Sequence, residues 1–391
     1  MAHESFDVAI VGGGLAGLTL ALELSERTRA HAHTPSRIVV LEQRTHYERD
    51  RTWSYWRSST AQQQHRFAHL ERQQWRHWRV RHGQQSVTQN GDALYCSIDA
   101  DAVYTEALRA LTLHRNVSVE LGANVSDLVS RPTPRACLAD STCIDAKLMF
   151  DARPQPATSP GAMVQTFTGW EIEFAEPVLD PTTIDLMDFV PDERGLHFFY
   201  VLPYDTHRAL IETTWISPRS LRTDHTEQLA RYIAQRWPGR CYTTRFVERG
   251  CLPLARPYIA PLPGIVPIGA RAGTLRAATG YAFLNTLHDC HRLAEQFARG
   301  VSMPTAYCAH WLDTWMDQVF LRALNDHWLD GPEWFLQMFA GSTGDSMSAF
   351  LTGRSSLMQR IAIAKRLPIG VFFKAAFATA EDRPSHVVSA Q

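Results

Sequence analysis

The run Phe6-Asp7-Val8-Ala9-Ile10-Val11 is apolar at all but one position, the pattern of a strand buried on both faces. Gly12, Gly13 and Gly14 follow it, and a leucine-rich segment over 15–26 then takes up helical spacing. A second apolar run, Arg37-Ile38-Val39-Val40-Leu41, predicts the next strand and ends in Glu42. Beyond it, 101–111 read as a helix, 117–121 and 136–138 as short strands, and 146–151 as a strand returning to the first sheet. Pro154, Pro156 and Pro160 then break regular structure.

From about 165 to 254 the pattern is strand-rich and alternating. Residues 196–202 and 208–215, joined by a polar turn around Asp205, predict a hairpin. One helix interrupts this region: Asp224 and Glu227 are spaced as a capping box, Leu229, Ile233 and Trp237 share a face, and Pro238-Gly239 stops it. The segment Gly264-Ile265-Val266-Pro267-Ile268-Gly269 predicts a strand entering a glycine turn, with a long helix over 280–299 after it. From Pro304 onward the chain is helical and rich in Trp and Phe. The predicted class is α/β: a discontinuous Rossmann-like nucleotide unit (1–153 and 255–300), an inserted β-rich substrate unit (154–254) and a helical C-terminal region (301–391).

Composition narrows the function. Lys+Arg 39 against Asp+Glu 40 leaves a formal charge of -1, which disfavours a nucleic-acid groove. The seven cysteines are scattered without a C-x-x-C pair and read as reduced, and no metal-ligand constellation stands out. The first strand begins too early to leave room for a signal segment, so a cytoplasmic protein is expected. No apolar stretch reaches the roughly 20 residues of a membrane span. Yet 354–391 carries six Lys/Arg against two acids, a formal +4, beside the apolar run Leu367-Pro368-Ile369-Gly370-Val371-Phe372-Phe373. This suits peripheral contact with an anionic lipid surface as well as it suits a docked terminal helix.

Strand, glycine turn, helix, strand and acid in this order make a dinucleotide cradle. Gly12 allows the tight turn, Gly14 lets the backbone approach a pyrophosphate, Gly17 lets helix and strand pack, and the amides of Leu15 and Ala16 open the helix beneath the phosphates. Glu42 stands where a carboxylate bonds a ribose. The late element through Gly269, Thr279, Gly280 and Tyr281 resembles the second grip of FAD-binding proteins, with the positive end of its helix aimed at the flavin. Glu212 lies inside the apolar strand Leu210-Ile211-Glu212-Thr213-Thr214, on one face with Leu210 and Thr214. There it is either an edge residue facing water or a carboxyl facing an apolar cavity that keeps its proton. Asp50-Arg51-Thr52-Trp53-Ser54-Tyr55-Trp56 is an aromatic cluster of core or site.

Together these pieces resemble the flavin-dependent lycopene cyclases of carotenoid synthesis, over Asp7 to about Pro368. The likeness is carried by Val11-Gly12-Gly13-Gly14-Leu15-Ala16, Thr52-Trp53-Ser54, Leu210-Ile211-Glu212-Thr213, Glu248-Arg249-Gly250-Cys251-Leu252-Pro253 and Thr279-Gly280-Tyr281. Arg51, Pro154 and Ala277-Ala278 depart from the family's usual residues.

The resemblance implies a lycopene β-cyclase, an isomerase acting on lycopene and related acyclic carotenoids. C2 of a terminal double bond is protonated, the C5-C6 double bond attacks the C1 cation, and a proton leaves C6. The products are γ- and then β-carotene, with no net redox. It further implies reduced FAD as the active form, NADPH or NADH as reductant, Glu212 as the acid, and Trp53, Tyr55 and Trp56 as pocket walls with Leu210 and Thr214 beside them. The expected location is the inner face of the membrane, peripherally. Two other readings share the cradle: an FAD-dependent monooxygenase or reductase of an aromatic or prenyl substrate, and a non-enzymatic carotenoid-binding flavoprotein.

Overall fold

The computed structural model describes residues 4–31, 36–58, 65–130, 132–154, 162–218, 225–255, 257 and 259–381. The predicted α/β class is what it contains, organised around two sheets. The first is seven-stranded. Its path runs β6 (Val117–Leu121), β2 (Ile38–Glu42), β1 (Glu4–Val11), β9 (Cys143–Asp151), β8 (Arg135–Leu138) and β7 (Val125–Val129), with β15 (Ile265–Pro267) parallel to β9. The double burial that the apolar runs predict is realised: Val8, Ala9, Ile10, Val39 and Val40 are all inaccessible. Helices α1 (Leu15–His31) and α4 (Phe283–Ala298) cover one face of this sheet through Leu18, Leu22, Phe283 and Leu287, with α2 (Ala100–Leu111) in the same core.

The second sheet has eight strands in the order β14 (Tyr242–Pro253), β10 (Val164–Phe174), β13 (Arg208–Ser217), β12 (Leu196–Pro203), β11 (Thr183–Val190), β4 (Gln73–His82), β5 (Gln85–Asp99) and β3 (Thr52–Ser58). The expected hairpin is β12–β13, with Tyr200 opposite Glu212. This sheet is not built from 154–254 alone. β4 pairs in parallel with β11 and brings β5 and β3 with it, so residues 52–99 belong to the same sheet. That pairing joins segments distant in the chain, and no local pattern announces it.

The two faces of the large sheet have different covers. Leu210 and Ile216 of β13 and Phe198 of β12 pack toward α5 (Trp311–Asp326), α6 (Gly331–Ala340) and α7 (Gly344–Leu351). Ile211 of β13 and Phe199 of β12 pack instead on α3 (His225–Arg236). Asp224, the predicted cap of α3, lies outside the described residues. α8 (Leu357–Ala364) and α9 (Ile369–Glu381) complete the helical layer. Among the described residues no helix is long and apolar enough to cross a membrane.

Candidate active site

β1 ends in a turn at Gly12, whose φ of +101° is left-handed backbone that only glycine adopts freely. Among the described residues a Cβ on Gly14 would meet nothing within 4 Å, so the backbone there faces open space. α1 starts at Leu15 with no acidic residue in its first turn, leaving its amides and positive end to an anion. Glu42, at the end of β2, accepts the Gly13 amide at 2.6 Å and the Arg44 amide at 2.8 Å. Burial alone would raise its carboxyl, but the donors of Arg44 and Gly13 hold it below the usual carboxylate range. Tyr47 donates to the Gly13 carbonyl at 2.8 Å, and a side chain on Gly13 would collide with its hydroxyl. Sequence reasoning missed Arg44 and Tyr47, which lock this turn.

A cavity of about 880 Å³ runs from this cradle into the second sheet. Gly12, Gly14, Leu15, Ala16 and Glu42 line one end, and Gly269, Thr279, Gly280 and Tyr281 the middle. Glu212, Phe198, Phe335 and Leu351 line the part enclosed by α6 and α7. The start of α4 borders it at Ala282 and Phe283, again with no acid in the first turn. The loop before α4 is clamped from below. Arg276 reaches the Asp317 carboxylate of α5 at 3.0 Å and donates to the Phe350 carbonyl of α7, fixing Gly280 and Tyr281 between them. Nothing local in the helical pattern of α5 marks Asp317 for this task.

Glu212 faces the cavity rather than solvent, with 9% of its surface exposed. Tyr200, Glu212, Gly169 and Glu248 stand opposite one another on β12, β13, β10 and β14, a row across four adjacent strands. Directly opposed residues share a face. The Thr214 hydroxyl donates to Glu212 Oε1 at 2.5 Å. Burial, and then the charge of Glu248, push the Glu212 carboxyl up to about 8. Glu248 is itself raised to about 7 by burial, against hydrogen bonds from Thr52 and the charge of Arg49.

Beside Glu212 the Tyr200 hydroxyl donates to Tyr95 at 2.7 Å, Tyr281 donates to Tyr95 at 3.4 Å, and Trp56 Nε1 donates to Tyr281 at 3.3 Å. Burial drives the three phenols further from ionisation, so they remain neutral. The arrangement can hold one proton on a carboxyl inside an apolar, aromatic chamber continuous with a dinucleotide cradle.

Of the expected pocket walls, Trp53 lines the cavity, packed edge-on to Tyr104. Tyr55 and Trp56 do not line it. Tyr55 stacks on Phe283 at 4.4 Å and donates to Glu71 at 2.9 Å, while Trp56 is buried against Trp78 and Tyr95. Leu210 is core, and Thr214 acts through Glu212 rather than on the cavity. Gly17 packs against the Gly12 carbonyl, as its spacing predicts, outside the cavity lining. Tyr95 and Tyr200, which sequence reasoning passed over, take the positions expected of Tyr55 and Trp56. Alternation along β3 puts Tyr55 on the other face, opposite Cys96; Trp56 shares the face of Tyr95, its partner on β5, but is packed against Tyr95 and Trp78 outside the cavity lining.

The fold is shared with a solved flavin-dependent enzyme. The solved structure of the flavin-dependent brominase Bmp2 matches with a TM-score of 0.60, covering 97% of this chain and 100% of that one at 13% identity. The family follows from sequence: residues 7–377 match the family described as lycopene cyclase protein, and the chain belongs to it. It is 26% identical to the lycopene beta-cyclase of Pantoea ananas over 381 residues, covering 93% of this chain and 95% of that one. Over 290 residues it is 29% identical to the lycopene beta-cyclase of Paracoccus sp. (strain N81106 / MBIC 01143), covering 71% and 70%.

Proposed function

We propose that this chain is a lycopene β-cyclase that closes the end rings of acyclic carotenoids without net redox. The observation that carries this reading is Glu212, a buried carboxyl pushed up to about 8 in a cavity shared with a dinucleotide cradle. Protonated at neutral pH, it delivers its proton to C2 of a terminal double bond; the C5-C6 bond closes on C1, and loss of a proton from C6 restores the count. Tyr95, Tyr200, Tyr281 and Trp53 wall the chamber, where an aromatic face beside a desolvated cation contributes about 2 kcal/mol or more. Phe335 and Leu351 exclude water that would capture the cation.

The cradle of Gly12, Gly14, Leu15, Ala16 and Glu42 is assigned to the adenosine and pyrophosphate of FAD, and Gly269, Thr279, Gly280 and Tyr281 to its ring end. The open space at Gly14 and the acid-free starts of α1 and α4 fit an anionic dinucleotide. When bound, reduced FAD, kept reduced by NADPH or NADH, would supply negative charge beside the developing cation. The working division is a nucleotide unit of 1–153 with 255–300, a substrate unit of 154–254 joined by the strands of 52–99, and a helical region from 301 onward.

Substrate dissolved in lipid calls for a membrane-facing entrance. The proposed contact is the exposed stripe Ile369, Phe373 and Phe377 of α9, with Leu357, Met358 and Ile361 of α8, placing the protein peripherally on the inner membrane face. The deciding experiment is a pigment chromatogram of lycopene-accumulating cells with and without the protein. β-Carotene should appear only with it. NAD(P)H oxidised in step with product would move the chain to the monooxygenases or reductases, and pigment bound unchanged would make it a carrier.

A further inference from the structure

The register of the large sheet places a second carboxyl next to the proposed acid. Glu212 and Glu248 are not on adjacent strands; both are paired with Gly169 of the strand between them. A side chain at residue 169 would stand between them in the row. A Cβ on residue 169 would come to 3.0 Å from Glu248 Cγ and 3.2 Å from its Oε1, so the Glu248 side chain lies over the space that glycine leaves. Gly250 stands in the next row on the same face, paired with Phe167, whose ring lies where its Cβ would be. The spacing Glu248-x-Gly250-x-Leu252 is thus one face of a strand, with the glycine admitting an aromatic ring and Leu252 lining the cavity.

Glu248 is 3% exposed, and among the described residues its Oε2 has no hydrogen-bond partner. It does not line the cavity, so it does not touch substrate. The groups around the pair are few. Tyr200 from β12, Tyr95 from β5 and Tyr281 from the loop before α4 are neutral phenols; Gly169 from β10 carries no charge. Thr52 from β3 hydrogen-bonds Glu248, and Arg49 and Asp99 act on it with opposite signs. Arg49 is shared with Glu171 at 2.6 Å and Asp99 at 3.0 Å. Arg249, next along β14, lines the cavity. Among the described residues a hydroxyl and a guanidinium therefore favour charge on Glu248, whereas Glu212 has only the Thr214 hydroxyl.

We propose that Glu248 is a positioning residue for the reaction: it carries the negative charge of the carboxyl pair across Gly169 and so keeps the proton on Glu212. The proposal rests on the reading of Glu212 as the acid. Two carboxyls in one apolar site cannot both ionise at little cost, and the one with the better donors ionises first. The pair thereby holds one proton ready at neutral pH. Its sign is fixed: activity requires protonated Glu212 and falls as pH rises through that group's titration. Removing the charge of Glu248 makes Glu212 a stronger acid and moves this fall to lower pH.

The test is the pH profile of kcat/KM for liposomal lycopene with FAD-loaded wild type, Glu248→Gln, Glu248→Asp and Glu212→Gln. Glu248→Gln should cyclise near the wild-type rate at the acid end and lose activity at least about one pH unit earlier than wild type. Glu248→Asp, which restores the charge, should return the fall toward the wild-type position. An unmoved fall in Glu248→Gln, with Glu212→Gln inactive, overturns the inference and leaves Glu212 standing as the acid. Cyclisation by Glu212→Gln brings down the reading of Glu212 and the inference with it. Should Glu248→Gln fail to fold, the infrared C=O band of protonated carboxyl decides. Between pH 7 and 8 it should be present in wild type and clearly reduced in Glu212→Gln; an undiminished band there would put the proton on Glu248 and overturn the assignment.

Discussion

Thr214 donates its hydroxyl to Glu212 Oε1 at 2.5 Å, from two residues further along the same face of β13. Among the described residues this is the one hydrogen bond that stabilises the ionised form of the carboxyl, and it works against burial and the charge of Glu248. Thr214→Val keeps the shape and removes the donor. The Glu212 carboxyl then rises further, and the loss of cyclase activity at high pH should shift upward by about 0.5–1 pH unit. A pH–rate profile reads this directly. A downward shift would mean that Thr214 accepts from a protonated Glu212 instead.

Glu212→Gln preserves volume and burial while removing the exchangeable proton. Cyclisation should drop by about 100- to 10,000-fold, toward the larger figure because carbon is protonated poorly by water. Fold and FAD content should be retained, as measured by circular dichroism and flavin absorbance. In heavy water, wild type should place one deuterium per new ring at the carbon beside the quaternary C1, because a different proton leaves C6. Rings without deuterium would show that the initiating proton is not exchangeable.

Gly14→Val tests the cradle. Among the described residues a Cβ at this position meets nothing within 4 Å, so the protein should fold normally. The valine side chain would nevertheless fill the approach to the helix start, and FAD affinity measured by flavin fluorescence should be lost. Equal affinity in variant and wild type would remove the dinucleotide assignment from this turn.

The parts of the molecule that were legible in the sequence share a property: each is local. β6 occupies the predicted residues, α2 starts one residue early, and α4 starts at Phe283 because the chain before it is a turn over 277–279, closed by the Gly280 amide on the Arg276 carbonyl, with Arg276 held by Asp317. Glu212 could be singled out because a carboxylate inside an apolar strand is anomalous by itself. Glu248 could be noticed within its motif, but not placed, since its relation to Glu212 exists only once β10 lies between β13 and β14. Tyr95 and Asp317 carried no such anomaly. One sits in a long strand and the other in an amphipathic helix, where both residue types are ordinary.

Asp317→Ala should break the clamp on the loop that presents Gly280 and Tyr281. Asp317 and Arg276 are both nearly buried, with side chains 7% and 9% exposed, so Arg276 would be left as an uncompensated charge. Removing one partner of such a pair costs about 3–5 kcal/mol. Urea denaturation should report a loss of that size. Flavin affinity should fall as well, because the clamp borders the cavity. A variant as stable as wild type would mean that the Phe350 carbonyl alone suffices to hold Arg276.

The membrane reading is best tested on α9, where buried and exposed residues separate cleanly. Phe372 packs against Trp334 with ring centroids 5.1 Å apart, and Ala375 and Thr379 are buried, so this side of the helix is part of the core. Deleting the helix would damage the fold and confuse the result. Ile369, Phe373 and Phe377 recur at four-residue spacing on the other side, and Phe373 and Phe377 are 63% and 59% exposed with their rings 4.6 Å apart. Arg360 of α8 turns inward to Asp313 at 2.9 Å and leaves Leu357, Met358 and Ile361 at the surface. Phe373→Asp with Phe377→Asp therefore alters only exposed positions. Burying a phenylalanine side chain contributes about 1.5–3 kcal/mol, so losing two should lower binding to anionic liposomes by well over tenfold. Cyclisation of liposomal lycopene should fall in parallel, while FAD content stays at the wild-type level. Undiminished sedimentation with liposomes would move the contact to another face, and Trp311, 66% exposed at the start of α5, would be the next residue to substitute.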